Sequence, residues 1–413
     1  MSLSEIPLIP KEQPDNVTAA LRARLGDEFA DRKDAPRFSV EVPLRLCPLG
    51  AHSDHQGGIV TGFTIDRATR LVAMPSKKSA VSVFSQNFQQ RLSVDLGQVG
   101  AKVTGEWGNY LRGAIVALRE SDRVINTGFS GVVYGEMPIG GLSSSASVSL
   151  AYLTALAYLN DYQISSEELV KLVLRIENGY LGLNNGVLDQ SVILFSKRGA
   201  LTVIDCRDNS VRALKLGAAA VPWEVLVIYS GLSRQLTATP FNQRVSECHE
   251  AARMLLELGK LPVPLKPRLG DVPTEVYQRF NLDLPKPLHG RAKHFFSEAE
   301  RVSDGTVAWA AGDIQRFGEL VTKSGESSIV NFESGSPALI SLYQILAEND
   351  GVYGARFCGG GFQGCCLALI DPRKRDRVIE KVHQRYTDRH PELAKSYSMH
   401  ICELSESVKL ERI

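Results

Sequence analysis

Between Gly135 and Ala146 the chain reads Gly-Glu-Met-Pro-Ile-Gly-Gly-Leu-Ser-Ser-Ser-Ala and passes straight into an apolar stretch of helical length. No other segment narrows the available folds as much. Glycines let the backbone come close to a ligand, and a helix start offers unpaired N–H groups and the positive end of its dipole. A helix cap needs one hydroxyl, whereas Ser143, Ser144 and Ser145 supply three, so Gly140, Gly141, Leu142 and the serines read as a phosphate cradle. No Gly-Lys-Ser/Thr follows, which sets aside the Walker-loop folds. A second glycine run, Gly359 to Gly364 with Gly360 and Gly361 inside it, fits G-x-G-x-x-G letter by letter. A dinucleotide loop must open a helix, but the next residues, Cys365 to Ile370, read as a strand, so this run is a turn joining two strands close to a ligand or another backbone.

The rest of the pattern is α+β. Strand-like runs occupy Phe38 to Pro43, Gly58 to Ile65, Thr69 to Met74, Val81 to Phe84, Ala200 to Ile204 and Trp223 to Tyr229. Helical spacing covers Trp107 to Glu120, Ser144 to Leu159, a capped segment from Ser165 to about Gly179, Arg244 to Leu258, Ala292 to Ala311, Ile314 to Ser324, Pro337 to Ala347 and Val378 to His390. Gly354 to Phe357 and Cys366 to Ile370 read as strands, and Tyr397 to Glu403 as an edge strand. Six prolines make Leu261 to Pro287 a loop excursion, and Val211 to Pro222 reads as a boundary between lobes. The 413 residues thus divide into an expected amino-terminal domain, 1–215, and a carboxy-terminal domain, 216–413, with a substrate cleft between them.

A formal charge of +1 provides no long-range attraction to nucleic acid or anionic membrane, so both partner classes are set aside. No apolar run reaches the ~20 residues that span a bilayer, and the amino terminus lacks a signal pattern. The expectation is a cytoplasmic enzyme, monomeric or weakly dimeric. Seven scattered cysteines without a C-x-x-C pair read as reduced, buried thiols rather than metal ligands.

Arg45 to Gly58 packs Arg45, His52, Asp54 and His55 into a loop punctuated by glycine and proline. It suits a polyhydroxylated ligand, and equally an ordinary polar surface loop. Asp189 on its own reads as a helix-cap aspartate. Taken together, the segments resemble the galactokinase branch of the GHMP small-molecule kinases. Gly50 to Gly58 is similar to that branch's G-E-H-T-D-Y-N-G-G, Gly141 to Ala146 to its G-L-S-S-S-A loop, and Cys358 to Cys365 to T-G-G-G-F-G-G-C. Trp107 to Tyr110 resembles W-x-N-Y, and Glu177, Gly182, Gly186 and Leu188-Asp189-Gln190 resemble E-x-x-x-x-G-x-x-x-G-x-M-D-Q.

The resemblance implies a two-domain fold, a ribosomal-protein-like α+β domain followed by a ferredoxin-like one, with ATP and a sugar between them. It implies Asp189 as catalytic base, Arg45 beside it, Ser145 and Glu177 as magnesium ligands, and Trp107 with the glycine loops around ATP. His52, Asp54 and Gly186 would lie on the sugar. One position departs: galactokinases carry a glutamate where this chain has Ala51, and that glutamate accepts from the sugar's 6-hydroxyl. An alanine frees space and deletes a charge, which suits a 6-carboxylate. Two carboxylates ~4 Å apart repel by about 4 kcal/mol at an effective dielectric near 20. The motif wording is most similar to the galacturonokinases of this branch, implying transfer of the ATP γ-phosphate to the anomeric hydroxyl of D-galacturonic acid. Arg234 would face the carboxylate, and Phe241 stands where the branch has a tyrosine. The rivals are a kinase for galactose or L-arabinose and a non-catalytic sugar and ATP sensor of the same fold.

Overall fold

A computed structural model describes residues 6–30, 35–138, 140–232 and 239–413. Its first half is built on one long strand. Strands β1 (Phe38–Leu46) and β2 (Ile59–Pro75) run antiparallel, with a bulge between Pro43 and Leu44. The sequence pattern breaks β2 at Asp66 and Arg67, yet the strand continues. Asp66 exchanges bonds with the passing chain at Glu403, so its polar groups are satisfied within the sheet.

Helix α1 (Pro14–Glu28) lays Val17, Leu21 and Leu25 on the face carrying Val72, Met74 and Val132. Its apolar stripe is narrow, only Val17, Leu21 and Leu25 being buried, which leaves little helical pattern in the sequence. The sheet is extended by β3 (Ala80–Ser85), β4 (Gln90–Asp95) and, after helix α2 (Asn109–Arg119), by β5 (Phe129–Gly135). Helix α3 (Ser144–Leu159) is apolar on nearly all sides and occupies the core beside β1 and β2. Helix α4 (Ser166–Leu174) begins at the expected Ser165 cap, whose hydroxyl accepts from the Glu168 N–H, and then widens into a π-helical turn, Arg175–Tyr180. Helix α5 (Leu188–Phe195) leads to β6 (Ala200–Asp205) and β7 (Ser210–Lys215). The segment expected as a boundary therefore begins with a strand, an exposed edge that pairs only with β6 among the described residues.

Strand β8 (Glu224–Tyr229) starts the second sheet. Helix α6 (Phe241–Leu258) precedes the proline-rich excursion, which is not loop throughout: α7 (Thr274–Phe280) starts directly after Pro273, and α8 (Lys286–Ala311) directly after Pro285. Prolines here sit where a helix begins, the position at which a missing N–H costs nothing. Helices α9 (Ile314–Val330) and α10 (Pro337–Ala347) lead to the hairpin β9 (Val352–Phe357) and β10 (Cys365–Ile370), then α11 (Arg375–Arg389), β11 (Ser398–Cys402) and β12 (Lys409–Arg412). The second sheet has the order β11-β8-β10-β9, with β11 at its edge as expected; β12 returns to pair with β1 in the first.

A shared core fastens the two sheets together. Leu44, Leu46, Phe63 and Ile65 from the first sheet pack with Val225, Val227, Leu367 and Trp309 from the second half. All seven cysteines are free and buried.

Candidate active site

A cleft of about 960 Å³ opens where the two halves meet. Two glycine segments form its floor. Gly140 and Gly364 lie so close that a Cβ on Gly140 would stand 2.8 Å from the Gly364 Cα, and one on Gly141 would stand 2.9 Å from the Cys358 carbonyl oxygen. The phosphate-cradle sequence and the turn between β9 and β10 are therefore one surface, although more than two hundred residues separate them. Gly140, Gly141, Ser143, Ser144, Ser145, Gly360 and Gly361 all line the cleft. The Leu142 side chain is fully buried in the shared core instead, so this residue offers the cleft only backbone.

Arg45 stands at the end of β1 with 2 % exposure. Its Nε and Nη2 donate to the same oxygen, Asp189 Oδ1, at 2.8 and 2.6 Å, and Nη1 donates to the Gly141 carbonyl at 3.0 Å. Asp189 lies in the first turn of α5, and its Oδ2 has no hydrogen-bond partner among the described residues. The arrangement orients one carboxylate oxygen through a buried cation and leaves the other free to accept a proton. Asp54, in the short helical turn Asp54–Gln56 within the Arg45-to-Gly58 loop, receives the Leu188 N–H at 3.4 Å. Burial, and next the charge of Asp189, push its carboxyl up to about 6.

Glu177 is fully buried on the π-helical turn, a device that recurs at functional sites. Burial, followed by Asp189, raises its carboxyl to about 7. Ser145 Oγ donates to Oε1 at 2.7 Å and Asn185 Nδ2 to Oε2 at 2.9 Å. A hydroxyl and a carboxylate presented together beside a phosphate cradle fit magnesium, which takes one or two protein oxygens and completes its shell with phosphates and water. Among the described residues, no group of three or more His, Cys, Asp or Glu is placed to hold a metal ion.

Trp107 lies against Phe88 with rings 6.0 Å apart and 15° from parallel, and its Nε1 donates to Gln90 Oε1 at 3.1 Å. Phe88 and Gln90 carry no motif, and only recognition of the β3–β4 hairpin would have placed them here. On the sugar side, Ala51, His52, Asp54, Gly186 and Phe241 line the cleft together. His52 stacks on Phe332, 3.9 Å between centroids and 8° from parallel, and burial holds its imidazole far below the ordinary value, hence neutral. His55 packs edge-on against Phe241, and His249 bonds the Pro267 carbonyl, so neither is free in solvent. Arg234 lies outside the described residues.

The profile of the GHMP kinases N terminal domain matches residues 109–197, and that of the GHMP kinases C terminal domain residues 307–388. A galacturonokinase of Arabidopsis thaliana is 40 % identical over 394 residues, which covers 90 % of this chain and 93 % of that protein. The chain belongs to the GHMP kinase family. A galactokinase of Roseiflexus sp. is 31 % identical over 392 residues, covering 95 % of this chain and 96 % of its own length. The crystal structure of Lactococcus lactis galactokinase complexed with galactose superposes with a TM-score of 0.86 at 28 % identity, over 95 % of this chain and 99 % of that one. The expected two-part α+β kinase fold is thereby borne out, as is the expectation of a sugar kinase. As in other GHMP kinases, ATP is the co-substrate. No described helix is long and apolar enough to cross a membrane.

Proposed function

We propose that this GHMP kinase is a sugar-acid 1-kinase, moving the γ-phosphoryl group of ATP to the anomeric hydroxyl of D-galacturonic acid and releasing α-D-galacturonic acid 1-phosphate and ADP. The observation that carries the substrate assignment is Ala51: it lines the sugar side of the cleft, next to His52 and Asp54, and brings no charge there. The likeness to the Arabidopsis galacturonokinase supports the same reading.

In this reading Asp189 Oδ2 accepts the proton of the anomeric hydroxyl as the oxygen attacks, while Arg45 holds the other oxygen, Oδ1, and faces the transferred group. Asp54 accepts from ring hydroxyls, and Gly186 leaves room for its carboxylate. Ser143 to Ser145 and the glycine floor hold the phosphates, with Trp107 beside the base. Magnesium, held by Ser145 and Glu177, would supply charge neutralisation on the β- and γ-phosphates. We assign the active protein to the cytoplasm as a monomer or weak homodimer, with its halves dividing near residue 215. A coupled ADP-release assay on D-galacturonate, D-galactose and L-arabinose tests the assignment. Turnover highest with galacturonate is expected. Turnover confined to a neutral sugar overturns the substrate, and sugar-independent silence points to a sensor.

A further inference from the structure

The sugar-side wall at residues 50 and 51 is held from behind by α8, which itself does not line the cleft. Glu298 Oε1 accepts the Gly50 N–H at 2.7 Å, and His294 Nε2 donates to the Ala51 carbonyl at 2.9 Å. His294 and Glu298 are four apart on one helix and so share a face. Both are buried, at 1 % and 0 % exposure, and both are anchored in turn. Ser327 Oγ donates to His294 Nδ1 at 2.9 Å, Ser324 Oγ to Glu298 Oε1 at 2.5 Å, and Arg301 Nε to Glu298 Oε2 at 2.7 Å. Burial opposes the charge of Glu298, yet Arg301 and Arg356 hold its carboxyl below the ordinary range. Fully buried polar groups of this kind, each satisfied by a named partner, fix a geometry. The backbone they fix is the one that carries Ala51 and His52 into the cleft.

We propose that His294 and Glu298 are positioning residues for sugar recognition: α8 grips the backbone of Gly50 and Ala51 and thereby sets the wall that meets the sugar's distal carbon. The proposal rests on the sugar site described above. Kinetics of His294→Phe, His294→Gln and Ser327→Ala, with sugar and ATP varied separately, test it. His294→Phe keeps a flat ring and removes the donor; it raises the sugar KM about five- to tenfold, the worth of one hydrogen bond, and leaves the ATP KM within about twofold. His294→Gln, whose amide can still donate to the Ala51 carbonyl, recovers most of that loss. Unchanged sugar KM in folded His294→Phe, equal rises in both constants, or a glutamine variant no better than phenylalanine overturns the proposal. Should His294→Phe fail to fold, Ser327→Ala releases the far side of the ring and raises the sugar KM alone by about two- to threefold; no such rise overturns the proposal as well. Each variant is assayed with the sugar that the wild-type enzyme phosphorylates best, so a wild-type preference for galactose defeats the proposed substrate and leaves the test of the grip intact.

Discussion

Gly186→Ala is a small change with a large expected effect. A Cβ at this position would stand 2.4 Å from Asp54 Oδ2, 2.5 Å from its Cγ and 2.6 Å from its backbone carbonyl carbon. Ordinary contact needs roughly 3.4 Å, so the carboxylate and the turn that carries it must retreat by about 1 Å. The close atoms include backbone, which cannot swing aside as a flexible side-chain tip can. A misplacement of that size at a substrate-orienting group lowers kcat/KM for the sugar by about 10²-fold, equivalent to about 2.7 kcal/mol. Overpacking adds a stability loss of about 1–3 kcal/mol. Steady-state kinetics with each substrate varied, paired with thermal melting, read both effects. The ATP KM should move little, since the phosphate floor is built from other segments. A folded Gly186→Ala protein with undiminished sugar kcat/KM would refute the placement of Asp54 as a sugar contact.

Asp189→Asn removes the proton acceptor and leaves the buried Arg45 cation without its counter-charge; kcat should fall by about 10²–10⁴-fold and stability by about 3 kcal/mol, read by single-turnover assay and melting. Ala51→Glu should cut galacturonate kcat/KM by up to about 10³-fold, the kinetic equivalent of about 4 kcal/mol of carboxylate repulsion, with a far smaller loss for galactose. Asp54 must be ionised to accept sugar hydroxyls, and its carboxyl titrates at about 6 instead of 3.8, so the sugar KM should climb as pH drops below about 6. The same shift has the opposite sign for folding. The native state binds the extra proton between 3.8 and 6, so this group's contribution to stability is present at low pH and lost as pH rises through that window, which urea titrations at several pH values measure.

Elements with strong local punctuation were legible in the sequence. Ser144–Leu159 and Pro337–Ala347 begin and end where serine, proline and apolar spacing say they should, and the glycine turn before Cys365 joins two strands as its apolar sequel implied. Elements whose stability comes from distant partners were not. Strand β12 exists because β1 offers an edge, and β2 crosses Asp66 because Glu403 satisfies it. In the cleft, the residues inside motifs converge: Arg45 with Asp189, and Ser145 with Glu177. Phe88, His294 and Glu298 are common residue types on unremarkable segments, and Asn185 fills an unspecified position of the Glu177-to-Gln190 motif; only the tertiary fold shows what they touch. Whether Arg234 faces the sugar acid is a question for the Arg234→Ala variant, which should raise the galacturonate KM and spare the ATP KM.

A competition reaction with equimolar D-galacturonate and D-galactose and limiting ATP, its products separated by phosphorus NMR, reads the ratio of the two kcat/KM values directly. The uncharged wall at Ala51 predicts that galacturonic acid 1-phosphate dominates by at least about tenfold, or 1.4 kcal/mol of discrimination. A product pool dominated by galactose 1-phosphate would contradict it.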